Sequence, residues 1–260
     1  MKHNWKITLI LILLFLAAQF VGLVVTKHFI QEELPYNMER PEVSSTYSAA
    51  EVLIMLVLAS IFIFILAKFK AYRIWRFWFF ISILITLSIS FSAFVPEIFA
   101  LGLALIFTLL RTFKNNVYIH NFTEIFIYGS LAAIFSPMLN IWGALIILLI
   151  ISIYDMIAVW KTKHMIELAK FQTKTKMFAG LFIPYKKDNA ILGGGDIGFP
   201  LLFTGVAMGM YGNFAFIIPI FTAIALTILL MLAKRKKFYP AMPFLTAGCL
   251  TGYLVMVLVF

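Results

Sequence analysis

The stretch AILGGGDIGFPLLF, residues 190–203, sets one carboxylate, Asp196, in a run that is otherwise glycine, proline and hydrocarbon. Its meaning depends on the solvent. Inside a bilayer such an acid costs on the order of 2.5–3.5 kcal/mol at a helix centre and must face protein or water; on a soluble helix it would mean little. The rest of the chain decides between the two. Of 260 residues, 63% are hydrophobic and only 12% charged, whereas a soluble domain carries about 25% charged residues. The mean hydropathy is +1.02. Apolar runs follow one another from end to end, parted by polar breaks too short to fold alone. The sequence therefore reads as all-α, a single polytopic membrane domain over residues 1–260.

A hydrocarbon core of about 30 Å takes about 20 helical residues. On that measure nine transmembrane helices are predicted, over residues 5–26, 48–68, 77–94, 96–112, 121–135, 139–160, 190–210, 213–233 and 241–260. Proline and a polar residue part the third from the fourth (Phe94-Val95-Pro96-Glu97) and the fifth from the sixth (Ser136-Pro137-Met138), which is turn chemistry. The first run follows Lys2 and Lys6, but it is longer than a usual signal-peptide core and no small-x-small site closes it, so it is read as a helix. Six helices thus fill residues 1–160, a cytoplasmic linker residues 161–189, and three helices residues 190–260. The linker is basic at both ends with an apolar patch, Met177 to Pro184, read as an interfacial stretch. There is no internal repeat.

The formal net charge of +10 does not point to nucleic acid, because the basic residues lie in the breaks rather than on one face. With the N-terminus cytoplasmic, 19 of the 21 Lys and Arg residues fall in inside segments; Lys27 and Arg40 fall outside, in a loop with Glu32, Glu33, Glu39 and Glu42. That bias orients the chain N-terminus in, C-terminus out. Cys249 is the single cysteine, which excludes an internal disulfide and the cysteine zinc frameworks. His3, His28, His120 and His164 lack ligand spacing and read as interfacial or loop residues. No metal and no cofactor are expected.

Among the acids, Glu51, Glu97 and Glu124 stand at predicted span ends, where they are expected to reach the headgroups. Asp155 and Asp196 stand within spans. Asp155 precedes the cytoplasmic boundary at Trp160 by five residues, roughly 8 Å of helix, and Asp196 follows Asp188 by eight, roughly 12 Å. The two therefore share a depth on consecutive antiparallel helices. A facing pair would share one proton, the ionised member activating water and the protonated one polarising an amide carbonyl. Gly193, Gly194 and Gly195 permit close approach beside Asp196. The segment Pro240-Ala241-Met242-Pro243 opens the last span with backbone groups an ordinary helix would not pair, on the same side. On the glycines and aspartate alone, peptide hydrolysis stands level with helix packing or an ion-coupled transporter built on a broken helix.

Taken in order, Tyr154-Asp155, Gly193-Gly194-Gly195-Asp196 and Pro240-Ala241-Met242 resemble the GxGD aspartyl intramembrane proteases of the presenilin and signal peptide peptidase family. IYDMIAVWKTKHM looks most like the archaeal presenilin homologues. The resemblance covers residues from about 150 onward and departs at Met242, where the family has leucine. It implies a presenilin-like fold and an endopeptidase that cuts peptide bonds within transmembrane helices in the lipid bilayer. Asp155 and Asp196 would be its catalytic pair. Tyr154 would border the site, Gly193 to Gly195 would shape it, and Pro240, Ala241, Met242 and Pro243 would seat a substrate that adds to the enzyme as a strand. Substrates with an outside N-terminus are favoured by analogy, and homo-oligomerisation stays open. Prepilin and preflagellin peptidases share GxGD but lack the Pro-Ala-Leu element and carry a lysine soon after the aspartate, where this chain has Ile197-Gly198-Phe199-Pro200. HExxH is absent, and Gly129-Ser130 lacks the flanks of a serine intramembrane protease.

Overall fold

In hydrocarbon every backbone N–H and C=O must find a partner within its own segment, so runs of Leu, Ile, Phe and Ala in this composition become helices. The computed structural model describes residues 5–42, 48–69, 71–114, 116–162, 178–185, 188–233 and 239–259. Nine α-helices lie among the described residues: α1 (Trp5–Gln31), α2 (Ser48–Lys68), α3 (Tyr72–Ser92), α4 (Glu97–Phe113), α5 (Val117–Phe135), α6 (Ile141–Ile157), α7 (Gly194–Tyr211), α8 (Ile218–Leu232) and α9 (Met242–Val259). Among the described residues six segments are long and apolar enough to cross a membrane, the one at Gly194–Leu232 holding both α7 and α8. The chain is an integral multi-pass membrane protein. Helix α4 has only 17 residues, and α5 carries His120, Asn121 and Glu124, so neither is among the six.

The turn chemistry falls where the prolines and asparagines put it. Pro96 is the N-cap of α4, and Ser136–Met138 make one 3-10 turn. Asn116 and Asn140 cap α5 and α6, each side chain accepting a first-turn N–H, at 2.8 Å from Tyr118 and 2.7 Å from Gly143. Such a cap typically contributes about 1 kcal/mol.

Helix α7 lies at the centre, packed against α1, α5, α6 and α9, and every residue from Pro200 to Met208 is buried. A helix buried all round belongs to the core of a bundle. Around it run α1, α5, α6, α8 and α9, while α3 and α4 pack a second cluster of Trp75, Phe79, Ile83, Leu87, Phe91, Ala100 and Ala104. Exposed Ile54, Val57, Leu58 and Ile61 on α2 present hydrocarbon outward, as a lipid solvent requires.

Apolar surface gives no drive for helices to associate in lipid, so close packing must supply it, and small residues allow it. At the α1–α5 crossing, a Cβ on Gly129 would come within 3.0 Å of the Gly22 Cα. On α9, Gly248 and Gly252 are four apart and both press on α8. A Cβ on Gly248 would sit 2.7 Å from the Thr222 Cα, and one on Gly252 2.8 Å from the Ile218 Cα.

Several expectations are corrected, among them the starts of the third and eighth helices, at Tyr72 rather than residue 77 and at Ile218 rather than residue 213. The chain is mostly helical but not all-α. The region read as linker and first turn of the seventh span contains a hairpin, β1 (Gly180–Tyr185) and β2 (Asp188–Gly193), antiparallel with Leu181 opposite Leu192 and Ile183 opposite Ala190. Residues 190–193, predicted helical, are strand because Gly193 to Gly195 interrupt helix propensity and the apolar patch of 177–184 supplies a partner. Residues 163–177 of the linker, with His164, lie outside the described residues. The fifth helix also starts four residues earlier than expected, at Val117 rather than residue 121, because Asn116 caps it.

The glycine packing gives a direct test. Gly248→Leu or Gly252→Leu should force α8 and α9 apart and lower the thermal midpoint in detergent, at about 1–3 kcal/mol or more of overpacking cost. Gly102→Leu, whose Cβ direction meets nothing within 4 Å, should leave the midpoint close to wild type.

Candidate active site

Strand β2 runs without interruption into α7, with Gly193 as both the last strand residue and the helix N-cap. Asp196 then occupies the third helical position, and its carboxylate accepts the Gly193 N–H. This is half of a capping box: the acid reaches back to an N-terminal donor that the helix leaves unpaired. The positive end of the helix dipole favours a negative charge there. Pro200, inside α7, has no N–H for the Asp196 carbonyl, so the first turn is short of a helical bond. Gln19 of α1, wholly buried, donates its Nε2 to the Ile197 carbonyl at 2.8 Å and props that turn from outside.

Asp155 is 6% exposed and lies in the last turn of α6, which widens into a π-turn over Ala158–Thr162. The Ala158 N–H is shared between the Tyr154 and Asp155 carbonyls. A helix C-terminus is the wrong end for a carboxylate, and a second helix makes up the difference. The Met242 N–H, first of α9, donates to Asp155 Oδ2 at 3.0 Å, and the Ala241 N–H donates as well. Pro240 and Pro243 keep the chain irregular up to Met242, which leaves these amides free of helical partners. One turn away, Ser152 Oγ and Thr246 Oγ1 meet at 2.7 Å, buried, so α6 and α9 are tied at two successive levels.

Helices α6 and α7, which carry Asp155 and Asp196, pack against each other, and the two carboxylates lie within range of each other's charge. Each is held by backbone amides at a helix start. The arrangement suits general acid–base work on water and a carbonyl. Among the described residues no group of His, Cys, Asp or Glu is placed to hold a metal ion.

The three glycines do different things. A Cβ on Gly194 would come within 2.7 Å of the Tyr128 hydroxyl, and one on Gly193 within 3.3 Å of Asp196 Oδ2, whereas one on Gly195 would touch only the Phe199 ring, at 3.4 Å. Met242 is buried, and Tyr154 is 55% exposed; Tyr154 makes no hydrogen bond to either aspartate among the described residues.

Glu124 is the clearest departure from expectation. Instead of reaching headgroups it is 1% exposed, paired with Arg111 and bonded by the Tyr128 hydroxyl. His120 is likewise on a helix, its Nε2 at 2.8 Å from the Gly180 carbonyl. The missed signal was Asn116 as an N-cap, which would have put Glu124 two turns inside α5, where a lone acid needs a partner. Glu97, in contrast, is exposed at the start of α4.

Comparison with known proteins places the chain in a family and a fold. The family model described as signal-peptide peptidase, presenilin aspartyl protease matches residues 12–195. No curated protein sequence matches. Two solved structures of a presenilin family intramembrane aspartate protease, in C222 and P2 space groups, are similar in fold. The first superposes with a TM-score of 0.69 at 20% identity over 97% of this chain and 99% of the other. The second gives 0.70 at 19% identity over 99% and 100%.

The Gly194–Tyr128 contact yields a prediction. Gly194→Ala should lower the thermal midpoint by an amount worth about 1–3 kcal/mol, and Gly194→Ala with Tyr128→Phe should recover part of the loss. Equal midpoints for wild type and Gly194→Ala would mean that the contact is not tight.

Proposed function

This chain belongs to the signal-peptide peptidase, presenilin aspartyl protease family, and from that premise we propose that Asp155 and Asp196 are its catalytic pair. The protein is an intramembrane aspartic protease. The observation that carries the pair is the packing of α6 on α7, which brings the two acids within range of each other's charge while each is held by backbone amides of a helix start.

With one proton between them, the ionised member takes a proton from water as its oxygen attacks the scissile carbonyl, and the protonated member gives its proton to the carbonyl oxygen. The tetrahedral adduct collapses when one hydroxyl returns its proton to the now ionised carboxylate and the member that took the water's proton gives it to the leaving nitrogen. The carbon–nitrogen bond breaks and the pair again shares one proton. Oriented amides around the acids, fixed before substrate arrives, are the preorganised dipoles that such charge movement needs.

The substrate is a transmembrane helix that unwinds to an extended segment. Support comes from β2. In an antiparallel pair the N–H and C=O of one residue point the same way and neighbours alternate. Gly180 and Phe182 direct theirs at α5 side chains, so on β2 the groups of Asn189 and Ile191 face away from β1. Both residues are exposed, and this edge leads straight to Asp196. Gly195, exposed and nearly uncrowded, gives a peptide backbone clearance. Tyr154 borders this space, and Pro240 to Pro243 set the entry of α9.

All nine helices span the membrane in this reading, as one domain. The charge bias puts the N-terminus and the basic segments in the cytoplasm, which favours substrates whose N-terminus lies outside. The prepilin-type peptidase and the ion-coupled transporter draw no support, since the matching family is neither.

Asp155→Asn and Asp196→Asn, each alone, should abolish cleavage of a transmembrane peptide by the purified protein; activity surviving in either variant defeats the dyad. The pH–rate profile should be bell-shaped, because both the doubly protonated and the doubly ionised pair are inactive. Ile191→Pro removes an outward N–H without touching the β1–β2 ladder and should lower kcat/KM by about tenfold, the order of one lost backbone bond, with Ile191→Val near wild type.

A further inference from the structure

Among the described residues no strand covers the outer edge of β1, and a row of α5 side chains covers it instead. The Phe182 N–H donates to Asn121 Oδ1 at 2.9 Å, and the Phe182 carbonyl accepts from Asn121 Nδ2 at 2.7 Å. The Gly180 N–H donates to Glu124 Oε2 at 2.9 Å, and its carbonyl lies 2.8 Å from His120 Nε2. One primary amide thus does for Phe182 what a residue on a facing strand would do. Arg111 of α4 holds the row from behind, donating to Thr123 Oγ1 at 2.6 Å, to Glu124 Oε1 and to the Phe178 carbonyl at 2.9 Å.

Two chains of contact lead from this row to the reacting end of α7. One passes from Arg111 through Glu124 to Tyr128, whose hydroxyl donates to the same carboxylate and lies against Gly194, two residues before Asp196. The other passes from Asn121 into β1, across the ladder to β2, and so to Gly193. A buried ion pair is weak evidence for stability, since well-packed apolar residues often do as well. What directional bonds supply instead is register, which a two-stranded hairpin specifies poorly by itself.

We infer that His120, Asn121 and Glu124, held by Arg111, act as a surrogate strand that fixes the register and depth of the hairpin and thereby positions Asp196. They are positioning residues, working through the hairpin backbone and Tyr128 rather than on substrate. The same row closes the β1 edge, so that β2 alone offers one. The inference rests on the catalytic reading of Asp196 given above.

The test compares two variants in the full-length protein, assayed on a transmembrane peptide at a temperature where circular dichroism shows each folded. Asn121→Leu is close in size but cannot pair with Phe182; Asn121→Asp keeps the acceptor for the Phe182 N–H and loses the donor. For Asn121→Leu, kcat should fall by about tenfold to a hundredfold, the scale of an ångström-sized misplacement, with KM within about twofold of wild type. Asn121→Asp should fall between that variant and wild type. Amide exchange at Ala190 and Leu192, which pair with β1, should quicken in the same order.

An activity that tracks only the folded fraction overturns the inference, as does a raised KM with unchanged kcat. If Asn121→Leu does not fold, Asn121→Asp decides on the same two quantities. Asp155→Asn and Asp196→Asn run alongside: cleavage in either removes the catalytic reading itself, whereas loss in both with wild-type kcat in Asn121→Leu removes only the positioning role.

Discussion

Backbone amides at helix starts are the interaction on which this structure turns. A carboxylate at membrane depth must be held by protein or water, and the cheapest donors in a helical bundle are the N–H groups that the first turn of a helix cannot pair. Asp196 uses those of its own helix through Gly193. Asp155, at the wrong end of α6, borrows those of α9 through Ala241 and Met242. That difference explains why α9 must begin with a proline-broken segment and why α6 and α9 are bolted again at Ser152 and Thr246.

The second constraint is depth. A helix sliding along its axis by one residue moves 1.5 Å, and little in a hydrocarbon interface opposes a slide. Polar ties do oppose it. Gln19 fixes α7 against α1, and the α5 row fixes the hairpin. The glycine crossings between α1 and α5 and between α8 and α9 give the scaffold the close contacts that hold those ties in place.

The helices themselves were readable. Pro96 and Pro137 divide the chain physically, and the second, fourth and last predicted spans lie within about two residues of the observed helices. The hairpin was not readable, because a short apolar strand next to a glycine run has the same composition as a helix start. Glu124 was misplaced for a related reason: a helix end set four residues late makes a core acid look interfacial. Beyond Tyr128, one turn on, its partners are Arg111, thirteen residues earlier, and Gly180, fifty-six later. No local pattern joins residues so separated.

The sequence by itself determined the solvent, the succession of helices and the two acids that had to be explained, since each follows from composition, from turn chemistry or from the cost of a charge in hydrocarbon. Only the tertiary structure decided that the helices carrying the two acids pack together, that a hairpin delivers one of the acids, and that helix starts hold both. Those facts depend on which helix faces which and at what height. Such relations are set by packing and hydrogen bonds between segments distant in the chain, and periodicity within one segment carries no record of them.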